Sequence, residues 1–334
     1  DANTTAANNT AIGNAALGAN TTATNNTAVG YSAGTGLTTG GWNVCVGSGA
    51  GDSMTTSHGS VIIGYGAATA LTTGIRNTAI GRDCLSTGTE TADSVTVGYA
   101  ANPAGSYCVS VGNNTLGSNT GASNVAVGYY AMNAATTGVE NTVVGRSAGA
   151  ANTTGESNVV VGYTAFDANT TGGHNVAVGA EALGANTTAH FNVAVGKKAL
   201  LANTTGAGNT AVGYLALTAN TTAGYNTAVG YQALDANTTG SGHTAVGYNC
   251  LTQETTATNN TAVGSHALYA CTTGASNVAM GLNALNGCIT GGNNVAIGQG
   301  ALQLTVAGTN TAIGFNTSNA LTTGTNNSSI GYDA

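Results

Sequence analysis

The chain has 334 residues, of which 52 are Gly, while only 5% are charged and the net charge is −7. So few basic side chains, with Lys197-Lys198 the one adjacent pair, withhold the electrostatic attraction on which non-specific nucleic-acid binding depends. No uninterrupted apolar run approaches the roughly 18 residues that a membrane-spanning helix needs.

The sequence is one unit written many times. A Gly preceded by an apolar, usually β-branched, residue recurs twenty times between Gly13 and Gly331. In chain order, Gly13, Gly30, Gly47, Gly64, Gly81 and Gly98 follow at intervals of 17 residues. The next interval, "GYAANPAGSYCVSVG" from Gly98 to Gly112, is 14 residues long and holds the single Pro, Pro103. Just before it lie the charges Arg76, Arg82, Asp83, Glu90 and Asp93, so residues 82–119 are expected to be irregular, either a loop of solvated charges or a recognition patch. From Gly128 to Gly298 the 17-residue spacing is unbroken, and Gly314 and Gly331 complete the series. Nothing leaves register long enough to form a separate domain, and residues 1–334 are expected to form one continuous array.

Counting each repeat from its Gly as zero turns the repeats into columns. At minus one stands Val or Ile, with Met280 once; at minus three stands Val or Thr, with Ser328 once. Side chains alternate along a strand, so these two columns share one face and the mostly Ala minus two column occupies the other. On this pattern the β-branched minus one column is expected to fill the interior, and the small minus two column to admit a neighbouring chain. Plus three is usually Ala and plus four most often Leu, as in Leu217 and Leu234; an Asn-Thr-Thr-Gly turn then follows. Two short strands and two turns per repeat predict an all-β, parallel β-solenoid of about twenty rungs, in which no rung can bury its apolar face alone. Disorder would not hold β-branched residues in fixed columns, and abundant Gly and paired Thr oppose helix.

Asn stands at minus four in sixteen repeats, among them Asn175, Asn192, Asn209 and Asn226, and is expected to form a stacked amide ladder. Nine of the thirteen Tyr stand at plus one, where they are expected to stack over the strand edge, with a ligand-binding aromatic strip as the alternative. Asn3, Asn20, Asn152, Asn169, Asn186, Asn203, Asn220 and Asn237 begin Asn-Thr-Thr sequons in a single column, a candidate stripe of glycans. Turn chemistry explains the same residues. Cys271 and Cys288 occupy one column in successive rungs and form a candidate disulfide. The five His and the scattered carboxylates show no metal or acid/base spacing, so neither catalysis, a metal nor a cofactor is expected.

Asn-Val-Ala-Val-Gly, at Asn175 to Gly179 and Asn192 to Gly196, followed by x-x-Ala, resembles the YadA-like head repeat of trimeric autotransporter adhesins. The 14-residue interval resembles that family's commoner rung, and Asn-Thr-Ala-Val-Gly-Tyr-x-Ala-Leu is similar to repeats of phage tail fibres and bacterial surface proteins. The resemblance implies a left-handed parallel β-roll, three chains side by side, and an extracellular, cell-surface or virion-surface location. It implies as partners other copies of the chain, as a homotrimer or end to end, and a surface receptor or glycan, with neither nucleic acid nor membrane insertion. Ala334 stops at plus three, while Asp1-Ala2-Asn3-Thr4-Thr5 begins in the phase of Asp235-Ala236-Asn237-Thr238-Thr239, so the array is expected to continue into a longer fibre. The function expected is a rigid, multivalent fibre segment; a glycosylated filament and an ice-binding solenoid are the alternatives.

Overall fold

The computed structural model describes residues 5–117 and 119–334. They are all-β and form a parallel β-solenoid of stacked turns, as the repeat predicts. The chain groups into two compact units, Asp1–Thr171 and Gly172–Ala334. The described part of the first contains ten strands, from β1 (Thr10–Ile12) to β10 (Val159–Val161); the second contains ten, from β11 (Val176–Val178) to β20 (Ser328–Ile330).

Each rung has one strand of three residues, rather than the two that the columns predicted. Adjacent strands within a unit pair in parallel, shifted by one whole repeat. In the second unit Thr210, Ala211 and Val212 face Thr227, Ala228 and Val229. The rest of the rung alternates between right- and left-handed backbone, which keeps N–H and C=O groups aimed along the stack. Tyr225, Gln232 and Leu234 have φ of 62°, 50° and 54°. Their N–H groups donate to Ala207 O, Tyr214 O and Cys250 O, at 3.1, 3.0 and 3.0 Å. A left-handed non-Gly residue costs roughly 1–2 kcal/mol, and bonding to a neighbouring rung offsets that cost by leaving no buried backbone group unpaired. The marker Gly has a different reason: Gly213 has φ +140°, and a Cβ there would lie 2.2 Å from Gly230 O. No other residue fits that approach.

The strand faces are the reverse of the sequence expectation. The middle residue of most strands is buried, whereas its two β-branched neighbours are part-exposed; Ala177, Ala194, Ala211 and Ala228 are fully buried. The Ala column thus faces the coil interior, and the Val/Ile and Thr/Val columns face out. The reason is volume. The interior is already filled from the other side by Leu at plus four, fully buried at Leu183, Leu200, Leu217 and Leu234, each contributing about 1.5–3 kcal/mol on burial. A larger residue at minus two is in two rungs matched by Gly opposite, whereas Val160 with Phe166 buries two large side chains together. Val143 faces Gly149, whose Cβ would meet Val143 Cγ1 at 3.5 Å, and Cys45 lies 3.1 Å from where a Cβ on Gly51 would be.

The stretch from residue 82 to residue 119 is irregular in sequence content, and its described residues keep the register. Strand β6 (Val95–Val97) pairs in parallel with β7 (Val109–Val111) across the 14-residue interval. Arg76 Nη2 donates to Asp93 Oδ2 at 2.7 Å, one rung on, so these charges pair along the stack. The interior turns polar here, with Ser110 Oγ and Thr115 Oγ1 2.5 Å apart.

Candidate functional site

Two Asn ladders run inside the coil. In the minus four column, Asn226 N–H donates to Asn209 Oδ1 at 3.0 Å, and Asn209 Nδ2 donates to Ala223 O at 2.9 Å.

 Asn226 Nδ2 meets Gly240 O at 3.0 Å, so each amide ties its own strand to the turn of the following rung. The second ladder is the sequon column at plus seven. Asn220 Nδ2 donates to Asn203 Oδ1 at 2.9 Å and to Ala223 O at 2.9 Å, and Asn237 repeats this with Asn220 Oδ1 and Gly240 O at 3.0 and 2.9 Å.

That ladder corrects the expected stripe of glycans. Asn20, Asn152, Asn169, Asn186, Asn203, Asn220 and Asn237 are all buried inside the coil. Their amide nitrogens are turned inward, so the folded chain presents none of the seven for modification; Asn3 lies outside the described residues. Cys271 and Cys288 replace Asn in the same column and are free, buried thiols rather than a bridged pair. Stacked in register, their Cα–Cβ bonds run side by side about 4.8 Å apart, beyond the roughly 3.5–4.5 Å that a disulfide asks of its Cβ atoms. Each thiol instead donates to its own turn, Cys271 to Gly274 O and Cys288 to Gly291 O, both at 3.2 Å. Burial pushes Cys271 up to about 12 and Cys288 up to about 11. The sequence carried a signal for this interior column that the turn reading passed over: Leu37, Met54 and Leu71 also stand at plus seven, and all three are buried.

One rung departs from both ladders at once. His243 replaces Asn at minus four, and Glu254 replaces Asn at plus seven; both are buried. Asn260 N–H donates to His243 Nδ1 at 3.2 Å, which puts the ring proton on Nε2, 2.9 Å from Ala257 O. Glu254 Oε1 accepts from Ala257 N–H, while Oε2 lies 3.3 Å from His243 Nε2 and accepts no hydrogen bond. Among the described residues no three His, Cys, Asp or Glu side chains gather as a metal site would require.

The outward surface carries the other candidate features. The minus three and minus one columns expose β-branched side chains, including Ile63, Ile80, Val95, Val144, Val159 and Val161 in the first unit and Ile297 and Ile313 in the second. The plus one column carries exposed Tyr in nine rungs, and where they fall on successive rungs their rings stack. Tyr231 lies between Tyr214 and Tyr248, with centroids 5.5 and 5.3 Å away. In the first unit Arg interleaves with Tyr. Arg82 Cζ lies 5.6 and 5.8 Å from the ring centroids of Tyr65 and Tyr99, and Arg146 Cζ lies 5.9 and 5.7 Å from those of Tyr129 and Tyr163. Comparison with protein-family models, curated proteins and solved structures finds no match to this chain.

Proposed function

We propose that the chain is a rigid structural segment of an extracellular fibre, which associates with other copies of itself and attaches to surfaces through its outward sheet face. One observation carries this reading: the minus three and minus one columns remain apolar or Thr and part-exposed from rung to rung, as in β12 (Val193–Val195) and β13 (Thr210–Val212). An apolar strip that continues over many rungs is the kind of surface that marks protein contact. Repetition makes weak contacts multivalent. The resemblance to adhesin head repeats supports the same reading. Replacing Val195 and Val212 together by Lys puts like charges on adjacent rungs of that face. The expected result is loss of self-association in sedimentation velocity with the far-UV circular dichroism unchanged. Unaltered association would overturn the proposal.

Ice binding is a second reading, favoured by the same outward face. Thr or Val at minus three and Val or Ile at minus one form two methyl-bearing columns, about 4.8 Å apart along the stack and about 6.6 Å apart across it. The paired Thr of the turns are not that array, because Thr204 Oγ1 and Thr221 Oγ1 donate to Thr221 O and Thr238 O of the next rungs, at 3.0 and 3.1 Å. A thermal hysteresis of zero at high protein concentration would remove this reading.

A further inference from the structure

The first unit contains a slot shaped like its own Arg sites but without the Arg. In the plus one column the order Tyr65, Arg82, Tyr99 places a guanidinium between two rings, and Tyr129, Arg146, Tyr163 does so again. The order Tyr31, Ser48, Tyr65 repeats the two rings with a small residue between them. An open cavity of about 340 Å³ lies there, bounded by Tyr31, Ser48, Tyr65, Asp52 and Asp83. Its depth comes from the neighbouring plus two column, where Gly49 and Gly66 carry no side chain; a Cβ on Gly66 would lie 2.6 Å from Asp83 Oδ1, and one on Gly49 would lie 3.9 Å from Asp52 Oδ2. Both ring walls are exposed, Tyr31 at 64% and Tyr65 at 61%, so the slot opens to solvent.

We propose that this slot binds a guanidinium group, as carried by an arginine side chain of a partner. Two ring faces two rungs apart suit a flat cation, which the ring quadrupoles attract. Asp52 and Asp83 line the slot with carboxylates; Asp83 Oδ2 is shared with Arg82 Nε, 3.0 Å away, and Asp52, whose Oδ1 accepts from Ser53 Oγ at 3.5 Å, offers Oδ2 to the ligand's N–H donors. A neutral isostere loses both the charge and the ring attraction. The slot lies on a single unit and is independent of whether the chain assembles into a fibre.

The test is calorimetric titration of the full chain with N-acetyl-L-arginine amide, beside the citrulline analogue, which has the same shape and no charge. Saturable binding of the arginine compound at one site, with citrulline at least about tenfold weaker, is expected. Ser48→Arg fills the slot from within and should abolish binding while the far-UV circular dichroism stays unchanged. Tyr31→Ala should weaken binding about fivefold, the loss of one cation–ring contact. Equal binding of citrulline, undiminished binding by Ser48→Arg, or no saturable binding of the arginine compound would overturn the assignment.

Discussion

Replacing Asn209 by Ala tests the claim that the inner amide ladder is a main source of stability in these rungs. Asn209 Oδ1 is the acceptor for Asn226 N–H at 3.0 Å, and Asn209 Nδ2 donates to Asn192 Oδ1 and Ala223 O at 3.2 and 2.9 Å. Truncation leaves the Asn226 N–H buried without an acceptor, whereas Ala223 O keeps Asn220 Nδ2 at 2.9 Å. One orphaned buried donor costs about 2 kcal/mol and each of the two lost amide bonds about 1 kcal/mol, so a loss near 4 kcal/mol is expected. Ser at the same place has a precedent in the fold. Asn77 N–H donates to Ser60 Oγ at 3.2 Å, and Cys108 N–H donates to Ser94 Oγ at 3.1 Å. Asn209→Ser therefore keeps the acceptor and should cost about half as much. Stacked repeats need not unfold in one step, so urea unfolding should be joined by hydrogen exchange at Asn226 and along the adjacent strands. A loss below about 1 kcal/mol for Asn209→Ala, or equal losses for Ala and Ser, would refute the reasoning.

Three further outcomes follow from the same structure. Ala211→Arg puts a charge into a filled interior and should unfold the neighbouring rungs, while Val212→Arg, on the outward face, should leave the β signal in circular dichroism intact; the opposite ranking would mean that the strand faces are reversed. Glu254→Asn restores the amide of the plus seven ladder and removes a carboxylate oxygen that accepts no hydrogen bond, so thermal and urea unfolding should shift upward by about 1–3 kcal/mol, and an unchanged or lower stability would contradict that account. Burial holds the Cys45, Cys250 and Cys271 thiols up to about 12 and the Cys84 and Cys288 thiols up to about 11, against an ordinary value of 9.0. The unfolded chain thus releases these protons first, so their contribution to stability is fully present below pH 9.0 and declines as the pH rises toward 12. Iodoacetamide at pH 8 should accordingly leave all six cysteines unmodified until the chain is unfolded, and prompt labelling of the native chain would count against their burial.

The sequence by itself determined the period, the parallel in-register stack and the Asn ladder at minus four, although that ladder was expected to face turns or solvent and lies inside the coil. A β-branched residue in a fixed column and a Gly that tolerates no side chain leave one way to pair each rung with the next, as in Ala211 beside Ala228. What it left open was which side of each strand lies inside. Alternation separates Val212 from Ala211 without saying which is buried, and bulk argued for Val. The tertiary structure decided otherwise because the interior is shared: Leu217 fills it from the plus four column, and the small Ala211 is buried in the minus two column of the same rung. The compensating pairs Val143 with Gly149 and Cys45 with Gly51 record that constraint in the sequence, but they become readable only once the two columns are known to face each other. The sequon asparagines and the paired cysteines were misread for the same reason, since a turn motif looks alike whether its side chain points to solvent or inward. The left-handed residues that aim Asn220 and Cys271 into the coil are set by hydrogen bonds between rungs, and those bonds exist only when the stack is formed.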